Sequence, residues 1–368
     1  MQYKSRKVGI AVTVVLLVGA LLAVYRMYII HKIISKDPPV FVCNSSHSPE
    51  IDSWDGFNTL VVYTGRWKFL RILFPYVYRE LRQNGGVLDR VLFMMMNYDS
   101  ETLGNLTHLT KVANKILKRE VFEMRFMGGK PGTLLPTRVR YPAPYYEIFA
   151  ELVQKSSNRY FKIDDDIVYI HRGTFRSMLD AKNSRCCLLH FANTVSNWRC
   201  NIKHQELGAY DSEIVNPKKL KFDFDPLGQC GWRSPKCAEL TLRTFLHHYH
   251  RGQLYKYQFS GLELLQKRKR FSIHLFMLDK DTIDIKALQE AGPVGSDDEV
   301  WWTWTYSQKF NHPNCIVGSG LIVHFSYYTT YQEMLKLGLL KEFESVVQNE
   351  VGELMEKEIW RALDFPGR

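Results

Sequence analysis

The sequence predicts an α/β fold on one mixed, mostly parallel central sheet, with a transmembrane helix at its N-terminus. Three observations predict it. Strand-like and helix-like segments alternate over residues 57–163. An apolar run without a charged residue fills positions 8–25. A polar, turn-rich stretch with Pro38, Pro39 and Pro49 separates the two. The 368 residues are 45% hydrophobic and 24% charged, an ordinary globular balance that excludes wholesale disorder, collagen and coiled coil. The net charge of +11 is spread along the chain and favours anionic partners without choosing among them.

The N-terminal run is preceded by Lys4, Arg6 and Lys7 and closed by Arg26. Residues 28–30 and 33–34 extend it if Arg26 snorkels to the interface. This reading gives a cytoplasmic tail over 1–7, a signal anchor over 8–34, a stem over 35–56 and a lumenal domain over 57–368. A cleaved signal peptide, with Val18 and Ala20 as the small residues, is the rival. Lys and Arg flank both ends, so charge does not set the orientation. The acceptor sequons Asn44-Ser45-Ser46 and Asn105-Leu106-Thr107 both follow the span, and put the bulk of the chain in the secretory lumen. That predicts a single-pass type II protein of the Golgi or ER membrane, with no nucleic-acid partner. Seven cysteines are an odd number. Cys43 in the stem offers a thiol for linking two chains into a homodimer, and Cys230 and Cys237 are close enough to close a loop. Cys186 and Cys187, in an apolar run, read as plain buried thiols.

In the first half, residues 60–63 read as a strand and 67–81 as a helix stopped by Asn84-Gly85-Gly86. Residues 87–96, 121–127 and 160–163 read as further strands, and Pro142 and Pro144 open a helix. In the second half, 188–195, 271–278 and 321–325 read as strands. Residues 238–250 and 297–310 read as helices, with amphipathic helices to the C-terminus. His247, His248 and His250 sit in a helix's last turn without i, i+4 spacing, which suits the helix dipole and not a metal. Residues 267–270 read as a solvated basic turn.

The chemistry concentrates at Tyr160-Phe161-Lys162-Ile163-Asp164-Asp165-Asp166-Ile167-Val168-Tyr169. Three adjacent carboxylates where a strand enters the interior repel one another unless a cation sits there. Side chains alternate along an extended chain, so Asp164 and Asp166 point one way and Asp165 the other. Two carboxylates at the carboxyl end of a parallel strand make a hard-oxygen site for Mn²⁺ or Mg²⁺ where open α/β sheets bind ligands.

This stretch resembles the strand-DxD element of GT-A type glycosyltransferases, and the order of tail, span, stem and alternating α/β half is similar to theirs. The resemblance implies a GT-A-like, nucleotide-sugar-binding fold and a metal-dependent transfer of a sugar to a hydroxyl of a glycan, glycoprotein or glycolipid. The donor it implies is a nucleotide sugar, a UDP-sugar first. By the same resemblance Asp166 holds the metal, Asp164 meets the ribose or the metal, and Asp165 belongs to the donor site. His324, at the end of a strand, fits the place of a further metal ligand. Tyr63 and Arg66, at the end of the first strand, fall where the nucleotide base is met; Lys130, Arg138 and Arg140 read first as solvated surface cations, with an approach to the diphosphate as the alternative. An inverting transfer needs a carboxylate base. Asp298, with Glu299 second, is the candidate, beside Trp301, Trp302 and Trp304 whose faces suit a sugar acceptor. Acidic first-turn residues at a helix N-terminus are the structural alternative. The rival functions are an inactive membrane-anchored sugar-binding or scaffold protein of the same fold, and a metal-dependent phosphotransferase or nuclease. The latter lacks the expected phosphate loop and scattered carboxylates.

Overall fold

The computed structural model describes residues 56–95, 98–126, 149, 159–182, 186–210, 232, 234–265, 270–279, 282, 284, 286–287, 298–325, 327 and 329–364. All of them lie in the second of two compact units, residues 45–368. The span predicted over 8–34, the stem up to residue 55, Cys43, the Asn44 sequon, Lys130, Arg138, Arg140, Cys230 and the helix opened by Pro142 fall outside the described residues. Among the described residues no helix is long and apolar enough to cross a membrane.

The first half winds as the alternation predicts. Strand β1 (Asn58–Thr64) is buried throughout, as its unbroken NTLVVYT run requires of a strand covered on both faces. Helix α1 (Trp67–Arg79) follows directly and buries all but two of its residues, Lys68 and Arg71. Strand β2 (Arg90–Met95), helix α2 (Ser100–Leu117) and strand β3 (Phe122–Phe126) repeat the unit. Helix α2 was not foreseen. Its first turn is capped by the Asp99 carboxylate, which accepts from the Thr102 N–H at 2.7 Å. Strands β4 (Arg159–Asp164) and β5 (Ile167–Ile170) flank a two-residue turn. Helix α3 (Thr174–Lys182), strand β6 (His190–Val195), and helices α4 (Trp198–Glu206) and α5 (Pro235–His250) come next. After them run β7 (Leu262–Leu265) and β8 (Leu275–Asp279), then a composite helix: a turn α6 (Asp298–Val300), a π turn over Trp301–Thr305, and α7 (Tyr306–Lys309). Strand β9 (Asn314–His324) is longer than predicted, and α8 (Tyr331–Lys336), α9 (Leu339–Val351) and α10 (Lys357–Ala362) close the described chain.

The nine strands among the described residues join one sheet in the order β3-β2-β1-β4-β8-β6-β9-β5, with β7 on β9 beside β5. β3, β2, β1 and β4 are mutually parallel, β8 runs against both β4 and β6, and β9 is parallel to β6. β5 and β7 run against β9, one at each end of it. The sheet is therefore mixed, and most of its strands share one direction. One face, with Leu60, Val62, Phe161 and Ile163, packs on α1, α2, α5 and α9. The other, with Val61, Tyr160 and Phe276, packs on the π turn and Tyr306.

Cys187 is not a plain thiol. It is bonded to Cys315 across a sequence separation of 128, and Cys186 and Cys237 are disulfide-bonded as well. The apolar run misled because a half-cystine and a buried thiol are equally apolar. The crosslink joins the approach to β6 to the start of β9, and a loop of that length contributes about 4–5 kcal/mol in the chain-entropy picture. Cys200 stays a buried free thiol.

Candidate active site

The acid triplet lies at the carboxyl end of β4, in the middle of the sheet. Tyr63 of β1 stands beside Asp164 in register, and the Asp165 N–H donates to the Tyr63 carbonyl at 3.1 Å. On the other side the Asp164 N–H donates to the His274 carbonyl at 3.0 Å. The Phe325 N–H donates to the Asp166 carbonyl at 3.0 Å, which brings the end of β9 to the turn. Thus four backbone segments, each fixed by sheet pairing, meet at the triplet.

The three side chains divide their tasks. Asp165 accepts the Gly65 and Arg66 N–H groups on one oxygen, each at 3.0 Å, and the Arg66 guanidinium on the other. It holds the β1–α1 turn, and its oxygens are taken up by protein donors. Asp164 accepts from Lys162 Nζ at 2.5 Å and faces His274 Nδ1 at 3.4 Å. Asp166 pairs with Arg66 Nη2 at 2.9 Å and faces His324 Nε2 at 3.4 Å. The imidazoles of His274 and His324 stack with centroids 3.8 Å apart and planes 18° off parallel. The predicted alternation therefore holds in outline. Asp164 and Asp166 both turn to the histidine pair and Asp165 turns to β1. It is blurred because residues 165 and 166 form a turn, so Arg66 reaches both.

Electrostatics follow from burial against pairing. The Asp166 carboxyl is held well below the ordinary carboxylate range, because Arg66 and His324 outweigh the burial that opposes ionisation. Asp164 is also lowered, with burial again opposed, here by Lys162 and His274. Burial, aided by Asp166, moves Asp165 the other way against the pull of Arg66. The Arg66 guanidinium is raised, since the attraction of Asp165 and Asp166 exceeds the cost of its burial. Burial and the facing His324 push His274 down to about 4, so it is a neutral imidazole at pH 7. Three carboxylates face two fixed cations, Arg66 and Lys162, which leaves one negative charge over.

That donor set fits a divalent cation. It offers hard carboxylate oxygens and neutral imidazole, the ligands that suit Mn²⁺ and its neighbours. The nitrogens turned to the carboxylates are His274 Nδ1 and His324 Nε2; the opposite ones, His274 Nε2 and His324 Nδ1, are buried without a hydrogen-bond partner, as is Nδ1 of the buried His204. Among the described residues the one three-donor set close enough to share an ion is Cys187, His190 and Cys315, whose sulfurs are both used by the disulfide; the donors of Asp164, Asp166, His274 and His324 do not converge as closely.

The remaining candidates fall into three groups. Arg66 lines a cavity of 680 Å³ with Lys68, Tyr98, Thr102, Asn105 and Tyr331. Tyr63 does not line it, and its ring lies under Lys162 Nζ at 5.1 Å. Glu299 pairs with Arg270, four residues before His274, so its carboxylate is engaged. The Asp298 carboxylate accepts from the N–H of its neighbour Glu299 at 2.9 Å, at the first residue of the turn. Trp302 is 2% exposed and packs on Phe149, Phe276 and Tyr306, so it is core and not an acceptor platform. Trp304, 39% exposed, keeps a face for solvent or ligand. Sequence reading missed His274 and gave Lys162 no role. Their signal was present only as polar residues inside apolar strands, at the spacing that puts Lys162 and Asp164 on one face.

No protein-family model matches the chain, and no curated protein sequence matches it. Among solved structures it is similar to a 4-diphosphocytidyl-2C-methyl-D-erythritol synthase from Anaerococcus prevotii, at 8% identity and a TM-score of 0.36, covering 78% of this chain and 99% of that one. It is also similar to GalNAc-T7 crystallised with UDP, GalNAc and Mn²⁺, at 7% identity and a TM-score of 0.38, covering 83% of this chain. The chain spans 52% of that protein's length. Scores this low carry no weight for fold or chemistry.

Proposed function

We propose that this chain is a metal-dependent glycosyltransferase that moves a sugar from a nucleotide sugar, a UDP-sugar first, to a hydroxyl of a glycan or glycoconjugate. The supporting observation is the acid triplet at the carboxyl end of the central strand, with one uncompensated negative charge and two buried imidazoles beside it. Asp166, His324 and Asp164 would hold Mn²⁺ or Mg²⁺, which would supply positive charge to a departing diphosphate. Asp165 keeps the β1–α1 turn in place, and Arg66 lines the neighbouring cavity, where it would meet the donor. Lys162, 2% exposed, holds Asp164 ionised and oriented from beneath. Asp298 is the candidate base for the acceptor hydroxyl, with Trp304 as the sugar-facing aromatic. Membrane anchoring through residues 8–34, a Golgi or ER location with the domain in the lumen, and pairing of chains through Cys43 belong to the same proposal.

A thermal-shift titration of the purified full chain with nucleotide sugars, with and without Mn²⁺, tests it. The midpoint should rise only when both are present, by mass action. No shift with any nucleotide sugar would remove the donor and with it the enzyme. Asp298→Asn should lower turnover about 10²-fold while leaving donor binding unchanged, and normal turnover would discard it as the base. One observation favours a second reading. Arg66 already neutralises Asp165 and Asp166, as a sugar-binding protein without catalytic metal would require. Slow Mn²⁺-dependent hydrolysis of the donor separates the two, since a binding protein shows none.

A further inference from the structure

We propose that Asn105 is an N-glycosylation site and that the first sugar of its glycan lodges in the cavity lined by Arg66. This rests on the lumenal reading above, because only chains that enter the secretory lumen meet the modifying transferase, and it assigns the residue and its place. Asn105-Leu106-Thr107 satisfies the acceptor rule, with leucine and not proline between asparagine and threonine. The reaction joins Asn105 Nδ2 to the anomeric carbon of a lipid-linked oligosaccharide diphosphate. The bond from that carbon to the phosphate oxygen breaks, the lipid diphosphate leaves, and the amide gives up one proton.

Three features of the fold make room for a sugar on this amide. Glu101, Thr102 and Asn105 share one face of α2 and line the cavity together. Thr102 is buried and pins α2 to the β1–α1 turn, accepting from the Trp67 N–H at 3.1 Å and donating to the Gly65 carbonyl at 3.3 Å. Asn105 stands about one turn farther along, half-buried. Among the described residues nothing hydrogen-bonds its side chain. Asn114 of the same helix shows what a structural asparagine does here: its amide nitrogen donates to Glu120 and the Phe122 carbonyl, and its oxygen accepts the Val121 and Phe122 N–H groups. Gly104, next to Asn105, has nothing within 4 Å of where a Cβ would stand, so no neighbour crowds the amide from that side. The cavity itself, 680 Å³, is of the size that holds a whole small ligand, about 300–1,000 Å³.

The same helix keeps the acceptor reachable before folding. Thr102, Gly104, Thr107 and Thr110 are weak helix formers, so α2 depends on packing Leu106, Leu109 and Ala113 into the core. Until then the triplet is free to extend. In the folded helix the Thr107 hydroxyl donates to the Leu103 carbonyl at 2.7 Å, so the modification precedes folding and the sugar is enclosed as α2 docks. A ligand drawn to Arg66 then shares the cavity with a sugar already in place.

The test translates the full chain in the presence of microsomes. Protection from added protease reports entry into the lumen. Peptide-N-glycosidase in ¹⁸O water converts each modified asparagine to a labelled aspartate, and peptide mass spectrometry reads position 105 separately from position 44. Position 105 should carry the label after treatment of the denatured chain, and Thr107→Ala, an exposed change, should abolish it. From the native chain the Asn105 glycan should leave about tenfold more slowly or worse, because the first sugar is enclosed. A protected chain with Asn105 unmodified overturns this inference and leaves the lumenal reading standing. Equal release from native and denatured chain overturns the lodging in the cavity. A chain open to protease overturns both this inference and the lumenal location.

Discussion

Two clusters of buried charge sit at the two ends of strand β5, and they are built on opposite plans. At its far end Arg79, 3% exposed, donates to the Ile170 carbonyl at 2.8 Å and to Glu80 at 3.0 Å, with Glu350 at 3.6 Å. Glu80 is 4% exposed, so the Arg79–Glu80 pair is closed in, with Glu350 as a second carboxylate at ion-pair distance from Arg79 Nη1, which makes no hydrogen bond. At the near end the acid triplet has more carboxylate than cation, opens to solvent at Asp164, and leaves imidazole nitrogens unpartnered. A buried pair that is satisfied holds structure together. A buried cluster left short of positive charge is unfinished without something from outside.

Substitution should move the two ends in different quantities. The largest effect belongs to the closed end: Arg79→Leu leaves Glu80 buried alone and should cost about 3–5 kcal/mol by chemical denaturation. A loss under about 1 kcal/mol would show that the Arg79 pair is not structural. At the open end Asp166→Asn should lower metal-dependent donor turnover about 10²-fold or more while the metal-free protein stays folded but less stable, because the pairing with Arg66 and His324 outweighs the burial of the charge. Unfolding of that variant without metal would erase the contrast.

A third buried group calibrates both. His204 donates from Nε2 to the Asn193 side-chain Oδ1 at 2.7 Å, the tautomer implied because the Asn193 Nδ2 is committed to the Tyr257 and Gly318 carbonyls. Burial pushes it down to about 3. Unfolded, it takes a proton near its ordinary value of about 6.5. The unfolded chain therefore binds more protons as pH falls below about 6.5, and stability falls with pH from there down to the folded value. The loss is about 2 kcal/mol by pH 5, read as the fall in unfolding free energy, and His204→Gln should flatten it. An equal slope in that variant would assign the acid sensitivity to other groups. The smallest effect is expected for Arg66→Gln. It removes a cation that competes at Asp166 and should tighten Mn²⁺ binding roughly three- to tenfold by calorimetry. Weaker binding would mean that Arg66 organises the site and does not compete for it.

What could be read from the sequence follows what generates signal. Buried parallel strands such as β1 and β2 show as apolar runs, and α1 and α5 show a 3.6-residue period. Helix α4 buries Cys200, Asn201 and His204, so its inward face is partly polar and an apolar count passes over it. Helix α2 buries Thr102, Leu106, Leu109, Thr110 and Ala113 at helical spacing, but threonines and Gly104 dilute the pattern. At the site, the acid triplet could be seen because three like charges in an apolar stretch are anomalous. His274 could not, because a lone histidine becomes informative only when sheet pairing sets it against Asp164 across a sequence gap of more than one hundred residues. Trp302 was misassigned for the converse reason: a tryptophan's chemistry suits both a sugar and a core, and only packing tells which.

Strand β9 carries a consequence of its own. Its residue Gly318 lies against Phe259 so closely that an added Cβ would sit 2.1 Å from the Phe259 carbonyl oxygen. Strand register advances about 3.3 Å per residue, and a slip of one residue turns each side chain to the opposite face. A bulky residue at 318 that nudged the strand along its neighbours would carry His324 out of reach of Asp166. The spacing of His324 and Asp166 is thus gauged by a contact six positions upstream, where the only requirement is a hydrogen in place of a methyl.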